Sequence, residues 1–279
     1  MKKILFLMLI LLTGIRFQSF AQGDLLISPT RVMFEGNKQK EELNLVNMGQ
    51  DSAIYSISFV QYKMKEDGNY AIIDKPDSTQ MFADPYLRIF PRKVILAPGE
   101  SQVIMLQCRR KPDMLAGEYR SHLYFRSEQN YKPLGMNNSA TDTTQISVQI
   151  IPVFGVSIPV IIRSGVGNVS ATLTDLKLEI LQDTMQYLRF TINRTGNFSA
   201  DGRIIIKYIT PQGLSYEIGT PMSVRVYTDI NKRNIVVKLN NTAGKKLTNG
   251  KLKVQYVSNE GNKPVVYAES ELDLNLNDK

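Results

Sequence analysis

Apolar and polar residues alternate along most of the chain from Gly23 onward, and no long stretch repeats at helical spacing. Tyr55, Ile57 and Phe59 alternate with Ser56, Ser58 and Val60. Val103 and Met105 alternate with Ile104, Leu106 and Cys108, and Tyr119, Ser121, Leu123 and Phe125 with Arg120, His122, Tyr124 and Arg126. A further strand begins at Leu43 and Leu45. Turn-forming residues separate these runs: Asn47-Met48-Gly49-Gln50-Asp51, Glu66-Asp67-Gly68-Asn69, Ala97-Pro98-Gly99-Glu100 and Ala116-Gly117. Short strands with this punctuation predict an all-β sandwich.

Ser164-Gly165-Val166-Gly167 interrupts the pattern and reads as a hinge between two domains, 23–163 and 168–279. The second half predicts seven strands: Leu173 to Leu181, Tyr187 to Asn193, Gly202 to Ile209, Ser223 to Tyr227, Asn234 to Leu239, Gly250 to Val257 and Pro264 to Leu274. Seven strands in roughly 110 residues fit an immunoglobulin-like sandwich, so the expected architecture is two such domains in tandem.

One strand is too long for its domain. Ile146, Val148, Ile150, Pro152, Phe154, Val156, Ile158, Val160 and Ile162 form an unbroken apolar stripe on the even positions. Such a strand would extend roughly 55 Å at about 3.3 Å per residue. A sandwich of this size cannot cover that length, so part of the stripe should project or line an open groove. Pro152 and Pro159 cannot donate to a ladder and place the segment at a sheet edge. An apolar edge needs a cover, and β-strand addition to a partner supplies one. The plainer alternative is a bent strand buried in both domains, turning at Pro152 or Gly155.

The first 21 residues have the build of a secretory signal peptide. Lys2 and Lys3 precede the apolar run Ile4 to Leu12, and Ser19-Phe20-Ala21 supplies small residues for cleavage. The apolar run is far shorter than the roughly 20 residues a membrane-spanning helix needs, so the mature form is expected to have no membrane span. Removing Lys2, Lys3 and Arg16 lowers the net charge from +8 to +5. That charge is too small, and too little interleaved with aromatic residues, for a nucleic-acid platform. A single Cys (Cys108) excludes an intramolecular disulfide, and a single His (His122) excludes His-pair zinc motifs. Cys108 reads as a buried small hydrophobe and His122 as a solvated strand residue. Arg109-Arg110-Lys111 before Pro112 reads as a solvated turn, with a phosphate-binding role as the other reading. No phosphate loop, metal loop or nucleophile elbow is present, so neither a cofactor nor an enzymatic activity is expected.

Several segments, taken in order, resemble the periplasmic chaperones of pilus and fimbria assembly (PapD-like). They are Ser28-Pro29-Thr30-Arg31-Val32, Leu43-Asn44-Leu45-Val46-Asn47, Phe90-Pro91, Ala97-Pro98-Gly99-Glu100-Ser101, Ala116-Gly117-Glu118-Tyr119-Arg120 and Ile158 to Arg163. The resemblance implies a chaperone that inserts its long edge strand into an incomplete fimbrial subunit and passes that subunit to an outer-membrane, usher-like platform. Ile146, Val148, Ile150, Pro152 and Phe154 would form the donated face. Arg31 would hold the subunit's terminal carboxylate, while Pro159 stands where the family has a second cation, a lysine. Glu118 and Arg163 would form a salt bridge between the domains, with Glu260 beside Asn259 as the second-domain acid. A self-capping dimer through the edge strand is a further expectation. Two other readings remain at this point: a structural cell-envelope or fimbrial surface protein, and a hydrolase or carbohydrate-binding module. The absence of Trp and of a second His weighs against the last.

Overall fold

The computed structural model describes residues 25–77, 80–128, 153–181, 185–219, 222–240, 247, 249–259 and 264–275. The signal segment, Ile146, Val148, Ile150, Pro152 and Glu260 lie outside the described residues.

The first half is a sandwich of two sheets. One contains β1 (Leu25–Ser28), β3 (Lys40–Asn47), β9 (Ser101–Cys108) and β7 (Leu87–Phe90), in that order. The other contains β2 (Val32–Phe34), β11 (Gly155–Ser164), β10 (Gly117–Glu128), β4 (Ala53–Val60) and β8 (Lys93–Leu96). The chain changes sheets between Ser28 and Val32, so β1 stands at an edge of one sheet and β2 at an edge of the other. The period-2 pattern explains the packing. Leu43, Leu45, Ile104 and Leu106 face inward from one sheet, and Leu123, Phe125, Val160 and Ile162 from the other, all completely buried. Each such side chain contributes about 1.5–3 kcal/mol on leaving water.

The second half is a separate sandwich with its own core. A three-stranded sheet orders β12 (Val169–Leu181), β13 (Met185–Gly196) and β17 (Lys232–Lys238). The other orders β15 (Ser215–Glu217), β14 (Ala200–Ile209), β18 (Asn249–Ser258) and β19 (Val266–Asn275), with β16 (Met222–Val226) also on β14. Among the described residues this half thus has one strand more than the seven the sequence predicts. The extra strand, β15, is three residues long and exposed throughout, so no alternation could announce it.

A small hairpin of β5 (Tyr62–Met64) and β6 (Tyr70–Ile72) leaves the first sandwich and reaches the second. Asn234 N donates to Glu66 O across this junction at 2.7 Å. Met64, Ile161 and Tyr227 form a small buried cluster between the two sandwiches, with Met33 and Ile230 packed against it.

Candidate functional site

The site begins with the pairing of β11. It runs antiparallel to β10 along its whole length, from Gly155 opposite Arg126 to Ser164 opposite Gly117. On its other side β2 covers only Val160, Ile161 and Ile162. Among the described residues, Gly155 to Pro159 therefore have a strand neighbour on one side alone. Pro159 falls within this open edge, where its missing N–H costs no ladder bond.

The side chains divide at the same place. Ile158, Val160 and Ile162 enter the core, whereas Val156, Phe154 and Val153 are 38%, 37% and 50% exposed. The apolar stripe thus continues past the point where the sandwich can cover it. Ser127 N donates to Phe154 O at 2.8 Å, which carries the alignment with β10 one step beyond Gly155. Gly155 lies beneath the Tyr124 ring, whose atoms would stand 2.3–2.5 Å from any Cβ placed there.

At the hinge end, Glu118 and Arg163 are opposite each other across β10 and β11. Arg163 Nε donates to Glu118 Oε2 at 3.2 Å, and Arg163 Nη1 pairs with Glu35 Oε1 at 2.7 Å. From the second sandwich Ser199 donates to Glu118 Oε2 twice, from its N at 3.0 Å and its Oγ at 2.7 Å. Arg163 Nη2 returns a bond to Ser199 O, and its guanidinium lies 4.7 Å from the Phe198 ring centre. The second sandwich thus joins this pair through a serine. Asn259 turns elsewhere, donating to Asp201 Oδ1 at 3.0 Å and Ser223 Oγ at 3.1 Å.

Arg31 crosses to the second sandwich and pairs with Asp201, which also receives Arg225 Nε at 2.9 Å. The Asp201 side chain is 3% exposed and that of Arg31 17%. Two guanidinium groups therefore share one buried carboxylate at the junction.

A third junction contact has no signal in the sequence pattern. Arg120 and Asp229 pair at 2.7 Å with both side chains buried. Asp229 Oδ2 also accepts the Met64 N–H at 2.7 Å, and the Arg120 guanidinium lies 3.8 Å from the Tyr227 ring centre. Alternation puts Arg120 on the outward side of β10, and that outward side is what the second sandwich covers.

The same cover corrects the expectation for His122, which is 5% exposed rather than solvated. The rings of Tyr62 and Tyr70 approach it edge-on, with centres 4.9 Å and 5.9 Å away. Burial, reinforced by the Arg120 charge, pushes the imidazole pKa down to about 3. Cys108 is buried in the first core, and burial raises its thiol pKa. Among the described residues, no group of three or more His, Cys, Asp or Glu side chains could hold a metal ion. No helix among them is long and apolar enough to cross a membrane.

No family model matches the chain, and no curated protein matches it. Among solved structures, the chain aligns with the YadV chaperone at 13% identity, covering 90% of this chain and 100% of that one, with a TM-score of 0.44. It aligns with the CsuC–CsuE chaperone–tip adhesion subunit pre-assembly complex of Acinetobacter baumannii at 13% identity, covering 88% and 97%, with a TM-score of 0.44. The class 5 fimbriae chaperone CfaA aligns at 18% identity, covering 87% and 97%, with a TM-score of 0.38.

Proposed function

We propose that this protein is an exported periplasmic chaperone that caps fimbrial or pilus subunits by lending them an edge strand, then delivers them to an outer-membrane assembly platform. The observation that carries this reading is the open edge of β11. Among the described residues Gly155 to Pro159 have a strand neighbour on one side only, and Phe154 and Val156 extend the even-position apolar stripe beyond the core. An incomplete subunit would complete both: its backbone takes the unpaired groups, and its groove takes Phe154 with Ile146, Val148, Ile150 and Pro152 ahead of it. The reading needs no cofactor and no catalytic residue.

Arg31 is proposed to hold the subunit's terminal carboxylate. It stands at the junction paired with Asp201, which also receives Arg225 Nε. A guanidinium fork binds a carboxylate bidentately. The ion pairs at Glu118, Arg163 and Asp229 would fix the angle between the sandwiches and keep this charge near the edge strand.

The test is recovery of the tagged protein from periplasm, with mass spectrometry of what accompanies it. A one-to-one client is expected, and Ile150→Asp or Phe154→Asp should abolish its capture while the thermal transition stays in place. Arg31→Ala should weaken capture more than it lowers stability. A double mutant that still holds its client, or that loses its fold outright, would overturn strand donation. Recovery of the chain itself as a repeating fibre component would favour a structural surface protein instead.

A further inference from the structure

The β5–β6 hairpin touches both sandwiches. Its register places Tyr62 opposite Ile72 and Met64 opposite Tyr70, so these four side chains share one face. That face lies on the outer side of β10 and β11, where Tyr62 and Tyr70 meet His122 and Met64 packs with Ile161 and Tyr227. Two backbone N–H groups fasten the hairpin to the second sandwich: Met64 N donates to Asp229 Oδ2 and Asn234 N to Glu66 O, each at 2.7 Å. The turn is closed by bonds of its own, Lys65 N to Asn69 O at 2.8 Å and Gly68 N to Lys65 O at 2.9 Å, so the hairpin can lift as a unit.

His122 is the polar group beneath this face. Its ring is buried, and its Nδ1 has no hydrogen-bond partner among the described residues. The three rings form one cluster, with the centres of Tyr62 and Tyr70 5.9 Å apart. Arg120 and Tyr124 stand on either side of His122 along its own strand face, and Pro159 and Val60 stand opposite it on β11 and β4. From the second sandwich comes Asp229, whose carboxylate is taken by the Arg120 guanidinium and the Met64 N–H. A neutral imidazole suits such a seat. A protonated one must donate from both nitrogens, and Nδ1 has no acceptor to meet. A charged donor stranded in this way is costly, and the Arg120 charge adds to the cost.

We propose that the hairpin is an acid-released clasp: protonation of His122 lifts it from β10 and frees its bonds to the second sandwich. Lifting carries Tyr62 and Tyr70 away, so the imidazole gains the water that its charged form needs. The seated ring titrates at about 3 and a hydrated one at about 6.5, so opening takes up one proton between these values. The open fraction should therefore rise about tenfold per pH unit below 6.5. The device works without a client, since every contact in it belongs to this chain.

The experiment is amide hydrogen exchange of the full chain, followed by NMR from pH 7 to pH 4 and corrected for the pH dependence of exchange in an unfolded peptide. The Met64 and Asn234 amides report the clasp, and amides of β9 and β18 report the two cores. Below pH 6.5 the clasp amides should open about tenfold more per pH unit, and with less protection than the cores. In His122→Phe, which keeps Arg120 and Asp229, they should open to the same extent across the range. Tyr70→Ala is the second variant. His122 is the only histidine of the chain, so its imidazole resonance can be followed directly, and it should titrate closer to 6.5 there than in the parent. Clasp amides as protected at pH 4 as those of the cores would overturn the proposal. So would an undiminished pH dependence in folded His122→Phe, or a parent imidazole that already titrates at its ordinary pKa.

Discussion

Arg120 and Asp229 meet at 2.7 Å across the junction of the two sandwiches, with side chains 7% and 1% exposed. The pair is the centre of the contact: Asp229 also holds the Met64 N–H of the β5–β6 hairpin, and Arg120 also donates to Tyr62 O at 3.1 Å. Removing one partner leaves a buried charge and frees the hairpin together. Asp229→Ala is therefore expected to cost about 3–5 kcal/mol in urea unfolding. Arg120→Met combined with Asp229→Leu should recover much of that loss, since neither charge is then stranded. A single variant within about 0.5 kcal/mol of the parent, the range of ordinary surface changes, would show that the pair does not hold the junction.

The two members of the Glu118–Arg163 pair should behave unequally. Without Glu118, Arg163 keeps Glu35, whose side chain is 51% exposed and readily hydrated. Without Arg163, a carboxylate of 0% exposure is left with the Ser199 donors as its bonds among the described residues. Arg163→Met is expected to cost about 3–5 kcal/mol, and Glu118→Gln about 1–2 kcal/mol. The order of the two unfolding midpoints checks this, and the reverse order would refute it.

These junction contacts mark where sequence patterning stops being informative. Alternation locates strands whose two faces differ, and it predicts the core positions Leu123, Phe125, Val160 and Ile162. It assigns Arg120 and His122 to the outer face correctly, yet gives no sign that a second sandwich and a hairpin cover that face. Burial of an outer face depends on domain packing, which leaves no period in the sequence. Asp229 lies in the turn after β16, where an acidic residue is ordinary, so nothing local distinguishes it. Glu118 and Arg163 could be named together because of the family resemblance. Ser199, which completes that cluster through its backbone N and its hydroxyl, carries no charge signature to find.

His122 gives the junction a dependence on pH. Its imidazole is held near a pKa of about 3, while in the unfolded chain it titrates near the ordinary 6.5. Between these values the unfolded state binds the proton and the folded state does not. The stability is complete above pH 6.5 and is lost as pH falls toward 3, with a slope of about 1.4 kcal/mol per pH unit from this group. Tyr62 and Tyr70 from the hairpin face it, Arg120 is the charge that acts on it from its own strand, and Pro159 and Val60 stand opposite it on the adjacent strands. His122→Phe keeps a ring between the tyrosines and removes the titration. Urea midpoints from pH 7 to pH 4 should therefore fall less steeply in that variant than in the parent. Parallel curves would exclude a titrating role for His122.

Gly155 and Tyr124 set the shape of the open edge. Gly155 is the first residue of β11, and the Tyr124 ring occupies the space that a side chain there would need. Adding a β-branched side chain must push the ring away, because a separation of 2.3–2.5 Å is far inside contact distance. Gly155→Val is expected to lose about 1–3 kcal/mol, the usual cost of forcing atoms into an occupied site. The same substitution in a Tyr124→Ala background should cost far less, since the obstructing ring is gone. This cycle isolates the ring contact from the general effect of replacing glycine in a strand. It also separates shape from capture. The strand neighbour lacking at Gly155 to Pro159 is a backbone feature, so the double mutant should regain client binding along with stability. A double mutant that regains stability and still fails to bind would assign the Tyr124 ring itself to the client surface.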